Sequence, residues 1–156
     1  MNYKRVYLDG YSYYLTLVTQ GRKPLLVDNI GLLRDAFKRS KQKYRYHIDA
    51  IVILPDHLHM ILTPQNPKDY SKIIHHIKRS FVYGLDQETK QQAKYAISDA
   101  KYKRGHAGIW QERFYEHTLR DEKDWLEKMD YIKHNPMKHQ WVNNLNEWPY
   151  TSFKSP

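Results

Sequence analysis

The sequence predicts an α+β fold, with helices packed on an antiparallel sheet. Three observations predict it. Strand-like and helix-like stretches follow one another in the order β-α-β-β-α-β-α. Two apolar strand-like runs are separated only by Pro55 and Asp56, which calls for a tight antiparallel turn. Between the strands, apolar residues recur at helical spacing, so each helix has one face to bury.

Residues 11–19 are rich in Tyr, Leu, Thr and Val and read as the first strand. Residues 29–43 read as a helix, because Ile30, Leu33, Ala36 and Phe37 fall on one side. Residues 46–54 and 57–63 read as two strands joined at Pro55-Asp56. Residues 69 to about 84 form a second helix, with Ile73, Ile74, Ile77 and Phe81 on its apolar side. Residues 86–107 are polar and rich in Gln and Lys, and read either as a helix with a mobile tip or as a loop that orders on a partner. Residues 113–119 are a further strand. A charged helix then starts after Asp121, a good N-cap, with Glu122 and Asp124 near its positive end. Pro136 disfavours helical geometry at Asn135, so this helix should stop about there. Residues 141–156 carry Trp148-Pro149-Tyr150 and should pack back on the sheet. No repeat, low-complexity tract or domain boundary interrupts the chain, so residues 1–156 read as one domain.

Composition narrows the function classes. Lys and Arg outnumber Asp and Glu by 26 to 17, which suits a polyanionic partner. The chain holds 14 Tyr and 4 Trp, and aromatics interleaved with basic residues suit stacking on unpaired bases. The absence of Cys excludes disulfides, thiolate catalysis and Cys-based zinc sites. No signal peptide or spanning apolar segment is evident, so a cytoplasmic protein is expected, with no membrane partner.

Two short elements carry candidate chemistry. His57-Leu58-His59 lies in a strand-like run, so both imidazoles point to one face and form half of a divalent-metal site. A solvated strand face is the alternative for a lone pair of this kind. In the second element, Tyr131 and Asn135 are four residues apart on a helix and share a face, about 6 Å apart along the axis. A phenol is a possible nucleophile and an amide oxygen a possible third ligand. A buried Tyr and a C-capping Asn are the alternative.

Four blocks occur in order: Leu54-Pro55-Asp56-His57-Leu58-His59, Trp110 through His117, Asp130-Tyr131-Ile132 with Asn135-Pro136-Met137-Lys138-His139, and Trp148 through Phe153. Together they resemble the HUH single-strand DNA endonucleases, named for His, a hydrophobic residue and His. Within that group they resemble the single-tyrosine, IS200-like transposases, and among these the REP-associated tyrosine transposases. The resemblance implies a ferredoxin-like HUH fold. It implies His57 and His59 as metal ligands, Tyr131 as nucleophile and Asn135 as third ligand, where related transposases use Gln. It also implies a divalent cofactor, Mg²⁺ or Mn²⁺, and single-stranded DNA with hairpin structure as substrate. Cleavage and rejoining would proceed through a 5′-phosphotyrosine bond. Monomer and homodimer both occur in such enzymes. Two rival readings stay open: a metal-dependent phosphoesterase or RNase that activates water, and a hairpin-binding module without catalysis.

Other polar residues are read more plainly. Asp56 either orients the metal site or makes the turn, with the turn favoured. His117 reads as a satisfied structural histidine. His75 and His76 point in different directions from one helix, as surface or phosphate-contact groups. His134 points about 100° away from Asn135 and is not counted as a ligand. Lys78, Arg79, Lys101, Lys103 and Arg104 are candidate contacts to the DNA backbone.

Overall fold

A computed structural model describes residues 11–153. The elements run β1 Ser12–Val18, α1 Leu25–Asp28, α2 Ile30–Lys43, β2 Tyr46–Ile53, β3 His57–Pro64, α3 Tyr70–Gly84, α4 Gln87–Tyr95, α5 Asp99–Lys103, β4 Tyr115–Leu119 and α6 Glu122–Lys138. The four strands form one antiparallel sheet in the order β2-β3-β1-β4. This is the expected α+β architecture of helices on an antiparallel sheet.

The sheet is covered on both faces. Leu15, Leu17, Leu58, Met60 and Leu62 pack with Leu33 and Ala36 of α2 and with Ile73, Ile74, Ile77 and Phe81 of α3. The opposite face carries Tyr14, Ala50, Val52 and Ile61, which pack with Ile132 of α6 and Trp148. Central β3 is therefore buried on both sides, which explains its near-continuous apolar run. Strand β2 changes face midway. Ile48 pairs with Leu62 and Ala50 with Ile61, so the residue between them, Asp49, is bulged out. Ile48, Ile51 and Ile53 thus all join the α2–α3 side, while Ala50 and Val52 turn toward α6. Strict alternation along β2 would misplace half of these residues.

The Pro55-Asp56 turn is as tight as expected: the Leu54 amide donates to the His57 carbonyl at 2.8 Å. It is tied down from outside, since the Thr19 amide donates to the Asp56 carbonyl and the Leu26 amide to that of Pro55. The Asp121 cap also forms, its carboxylate accepting from the Asp124 amide at 2.7 Å.

Two expectations are revised, and one element carried none. Residues 86–107 are neither one helix nor a loop. They form α4 and α5, capped by Asp86, whose side chain accepts from the Thr89 amide, and by Ser98, which accepts from the Lys101 amide. Gly108 closes this segment: its φ is +77°, and an added Cβ would lie 2.4 Å from the Ala93 carbonyl oxygen. Helix α6 does not stop at Asn135 but runs through Pro136 to Lys138. Proline removes one hydrogen bond, and burial of Pro136 and Asn135 against the sheet side of the helix offsets that loss. The His139 amide donates to the Asn135 carbonyl and the Trp141 amide to that of Pro136, which closes the last turn. Finally, the Leu25–Asp28 turn had no clear signal in the sequence.

Beyond α6 the chain returns to the sheet, as expected. Trp148 Nε1 donates to the Ile53 carbonyl at 3.0 Å, and Thr151 bridges Val52. The expectation for residues 154–156 lies outside the described residues, as does that for residues 1–10 within the single domain.

Candidate active site

The register of the sheet builds one wall of the site. On β3, His57 stands opposite Val18 and His59 opposite Thr16 of β1, while Val52 of β2 flanks His59 on the other side. Both histidines face α6, with ring centroids 4.9 Å apart. They are 9 % and 6 % exposed.

Each imidazole is held by its Nδ1. His57 Nδ1 lies 2.6 Å from Asp56 Oδ1, and the Arg22 guanidinium donates to Asp56 Oδ2 at 3.4 Å. Partial burial opposes ionisation of Asp56, but the His57 hydrogen bond and charge and Arg22 outweigh it, holding the carboxyl below its ordinary range. Asp56 thus makes the turn and also orients His57, so favouring the turn alone understated it. His59 Nδ1 lies 2.9 Å from both the Tyr14 phenol and the Thr16 hydroxyl. Burial, then the neighbouring charge of His57, pushes the His59 pKa down to about 3, so the ring stays neutral. Burial also raises Tyr14 to about 12, which keeps its phenol protonated as a hydrogen-bonding group.

Helix α6 supplies the other wall. Ile132 anchors it in the core, and Tyr131 on the same side meets His59 edge-on at 5.4 Å. One turn later Asn135 is fully buried. Three polar atoms here lack any hydrogen-bond partner: His59 Nε2, Asn135 Oδ1 and Asn135 Nδ2. Buried polar atoms without partners are costly and call for a ligand. The pinned Nδ1 atoms leave both Nε2 atoms as donors to a cation, which is the arrangement that metal-binding histidines adopt. Among the described residues, no cluster of three His, Cys, Asp or Glu side chains offers a cation site. Asn135 adds a buried neutral amide with neither polar atom partnered.

The four residues singled out in the sequence, His57, His59, Tyr131 and Asn135, therefore converge on one side of the sheet. Sequence reasoning missed two neighbours. His139 caps α6 and meets the His57 ring at 5.8 Å; its signal was the four-residue step from Asn135. Tyr14 holds His59, but only strand register reveals it. Lys138 places its ammonium 4.8 Å from the centre of the Tyr131 ring.

The candidate DNA contacts divide. Lys78 and Arg79 line a cleft of about 490 Å³ with His75, His106 and Arg113, between α3 and residues 105–113. Lys78 also donates to the Gln111 carbonyl at 2.9 Å, so it has a structural bond in addition. Lys101, Lys103 and Arg104 lie on or beside α5, outside the lining of that cleft. His117 is satisfied by Asp124 at 2.7 Å, as read from the sequence, and His134 pairs with Asp130.

A family model for IS200-like transposases matches residues 7–135, a span that includes His57, His59, Tyr131 and Asn135. The chain belongs to the IS200-like transposase family. Its activity is that family's, the cutting and rejoining of DNA, and the family works with a divalent metal ion. Among relatives of this IS200-like chain, a candidate REP-associated tyrosine transposase of Haemophilus influenzae is 40% identical over 154 residues, covering 97% of this chain and 85% of that protein. A REP-associated tyrosine transposase of Escherichia coli K12 is 33% identical over 153 residues, covering 97% and 81%. A solved structure of a REP-associated tyrosine transposase bound to a REP hairpin is 32% identical. It superposes with a TM-score of 0.78 and covers 98% of this chain and 82% of that one. The family match and these relatives bear out the resemblance read from the four sequence blocks.

Proposed function

We propose that this transposase cuts and rejoins single-stranded DNA carrying REP-like hairpins, with Tyr131 as nucleophile and His57, His59 and Asn135 as metal ligands. The observation that carries the reading is the meeting of Tyr131 with His59 beside the unpartnered His59 Nε2 and Asn135 amide. The relative bound to a REP hairpin supports the hairpin substrate.

His57, His59 and Asn135 would hold a divalent cation, which would supply positive charge to the scissile phosphate. The mixed nitrogen and oxygen set suits Mn²⁺ well and Mg²⁺ adequately, and availability favours Mg²⁺ in the cell. The Tyr131 phenol loses its proton to solvent and its oxygen attacks phosphorus. A tyrosine–phosphate bond forms as the phosphorus–O3′ bond breaks, and the departing 3′-oxygen takes up a proton. The DNA 5′ end is left on Tyr131. A second 3′-hydroxyl reverses the step and rejoins strands without ATP. Asp56, Tyr14 and Thr16 keep both imidazoles in the ligating orientation, and Lys138 adds positive charge beside the nucleophile. Arg79, Arg113 and their neighbours in the cleft, with Lys101, Lys103 and Arg104, are backbone contacts.

The ring of Tyr131 meets that of His59 within the fold of a single chain, and a catalytic unit complete in a monomer is part of this reading, with a homodimer as the alternative. Among the described residues no helix is long and apolar enough to cross a membrane, and a cytoplasmic enzyme is part of this reading. The test is incubation with labelled single-stranded hairpins and Mg²⁺ or Mn²⁺. A denaturation-resistant protein–DNA adduct is expected from the native protein, none from Tyr131→Phe, and none from the native protein with chelator. Turnover without an adduct would favour water as nucleophile, and an adduct formed by Tyr131→Phe would overturn the assignment.

A further inference from the structure

The face that carries His59 continues outward across the sheet. Thr16 lies opposite His59 on β1, and Tyr115 lies opposite Thr16 on β4. Neighbouring strands are about 4.8 Å apart, so the Tyr115 backbone stands roughly 10 Å from that of His59. That distance is within reach of one or two nucleotides of an extended strand. Strand β4 is the outer strand of the sheet on this side.

Tyr115 is 54% exposed, although its neighbour Phe114 is buried. It contacts Tyr14 edge-on at 6.1 Å, and Tyr14 in turn meets Tyr131 edge-on at 6.3 Å. A chain of ring contacts thus runs from the proposed nucleophile to an open aromatic surface at the rim of the site. Cations lie along this chain of rings. Lys128 lies 5.2 Å from the Tyr14 ring, Lys138 lies beside Tyr131, and Arg113, two residues before Tyr115, lines the cationic cleft. An open ring next to rings that carry lysines matches the chemistry of unpaired nucleotides: base on the aromatic face, phosphate on the cations.

We propose that Tyr115 is the stacking platform for an unpaired base next to the phosphate that Tyr131 attacks. This rests on the proposed cutting of single-stranded DNA by Tyr131. A base inside a duplex has both faces covered by its neighbours, so Tyr115 accepts only an unpaired one. The platform therefore contributes to choosing single-stranded flanks over duplex, and does so with little sequence preference, because every base has a π-face.

The experiment uses full-length protein and hairpins with a single-stranded flank, with 2-aminopurine at successive flank positions and chelator present to prevent cutting. Stacking quenches the probe. Quenching is expected at one position with the native protein and with Tyr115→Phe, and is lost with Tyr115→Leu. Leucine retains apolar contact with Tyr14, and a melting curve checks that the fold is kept. The ratio of flanked-hairpin to blunt-hairpin affinity should fall about tenfold in Tyr115→Leu and hold in Tyr115→Phe. Native-like quenching and affinity ratio in Tyr115→Leu, or quenching at no position with the native protein, would overturn the proposal. Adduct formation by the native protein in Mg²⁺ or Mn²⁺ is scored separately. Its absence would count against the transposase chemistry, while the quenching would still report on Tyr115.

Discussion

At the residue scale, the site depends on which nitrogen of each histidine is occupied. Asp56 takes His57 Nδ1, and Tyr14 with Thr16 takes His59 Nδ1. Under the proposed ligand set, Asp56→Ala should weaken metal affinity about 10- to 100-fold, because His57 loses the group that orients it. Titration of cleavage with Mn²⁺ measures this, and saturating metal should restore much of the rate. His59 also sets a pH dependence. Its folded pKa, about 3, lies below the ordinary value of 6.5. Between those values the unfolded chain binds a proton that the folded chain refuses. Stability is therefore fully present above pH 6.5 and is lost as pH falls toward 3. Urea denaturation of metal-free protein between pH 7 and 4 should show that loss, and His59→Gln should flatten it.

At the element scale, α6 carries the proposed nucleophile and third ligand on one face, and Ile132 presses that face onto the sheet. Its entry angle is set by Asp121, whose carboxylate accepts from the Asp124 amide. Asp121→Ala should lower stability by about 1 kcal/mol, read from the midpoint of thermal unfolding. Cleavage should become more heat-sensitive in parallel. The far end of α6 shows where local rules fell short. Pro136 reads as a stop signal, yet the helix continues for two more residues and brings Lys138 to Tyr131 and His139 to His57. A backbone rule at one residue was outweighed by burial of the same residue, and burial depends on distant strands.

At the scale of the whole molecule, the net charge of +9 and the cationic cleft make association with DNA depend on salt. Each single-strand phosphate contacted should contribute about −0.7 to the log–log slope of affinity against salt. Arg79→Ala and Arg113→Ala should each reduce the steepness by roughly one contact, measured by gel shift across a salt series. Hairpins with an unpaired flank should outlast blunt duplex at moderate salt, because stacking is largely insensitive to it. Equal binding of duplex and flanked hairpin at every salt concentration would remove the basis for single-strand selection.

Most of the elements and the chemistry-bearing pairs were legible in the sequence, whereas the Leu25–Asp28 turn and the division of residues 86–107 into α4 and α5 were not. A two-residue period puts His57 and His59 on one face, and a four-residue helical step does the same for Tyr131 and Asn135. These relations are local, set by backbone geometry over a few residues. The Pro55-Asp56 turn and the Asp121 cap were legible for the same reason. Only the tertiary structure decided which faces meet. The Asp49 bulge turns Ala50 and Val52 toward α6, the pairing of β1 with β3 brings Tyr14 and Thr16 to His59, and the seating of α6 sets Tyr131 against His59. Strand register and helix docking are settled by burial across the whole core, and that long-range balance has no short signature in the chain.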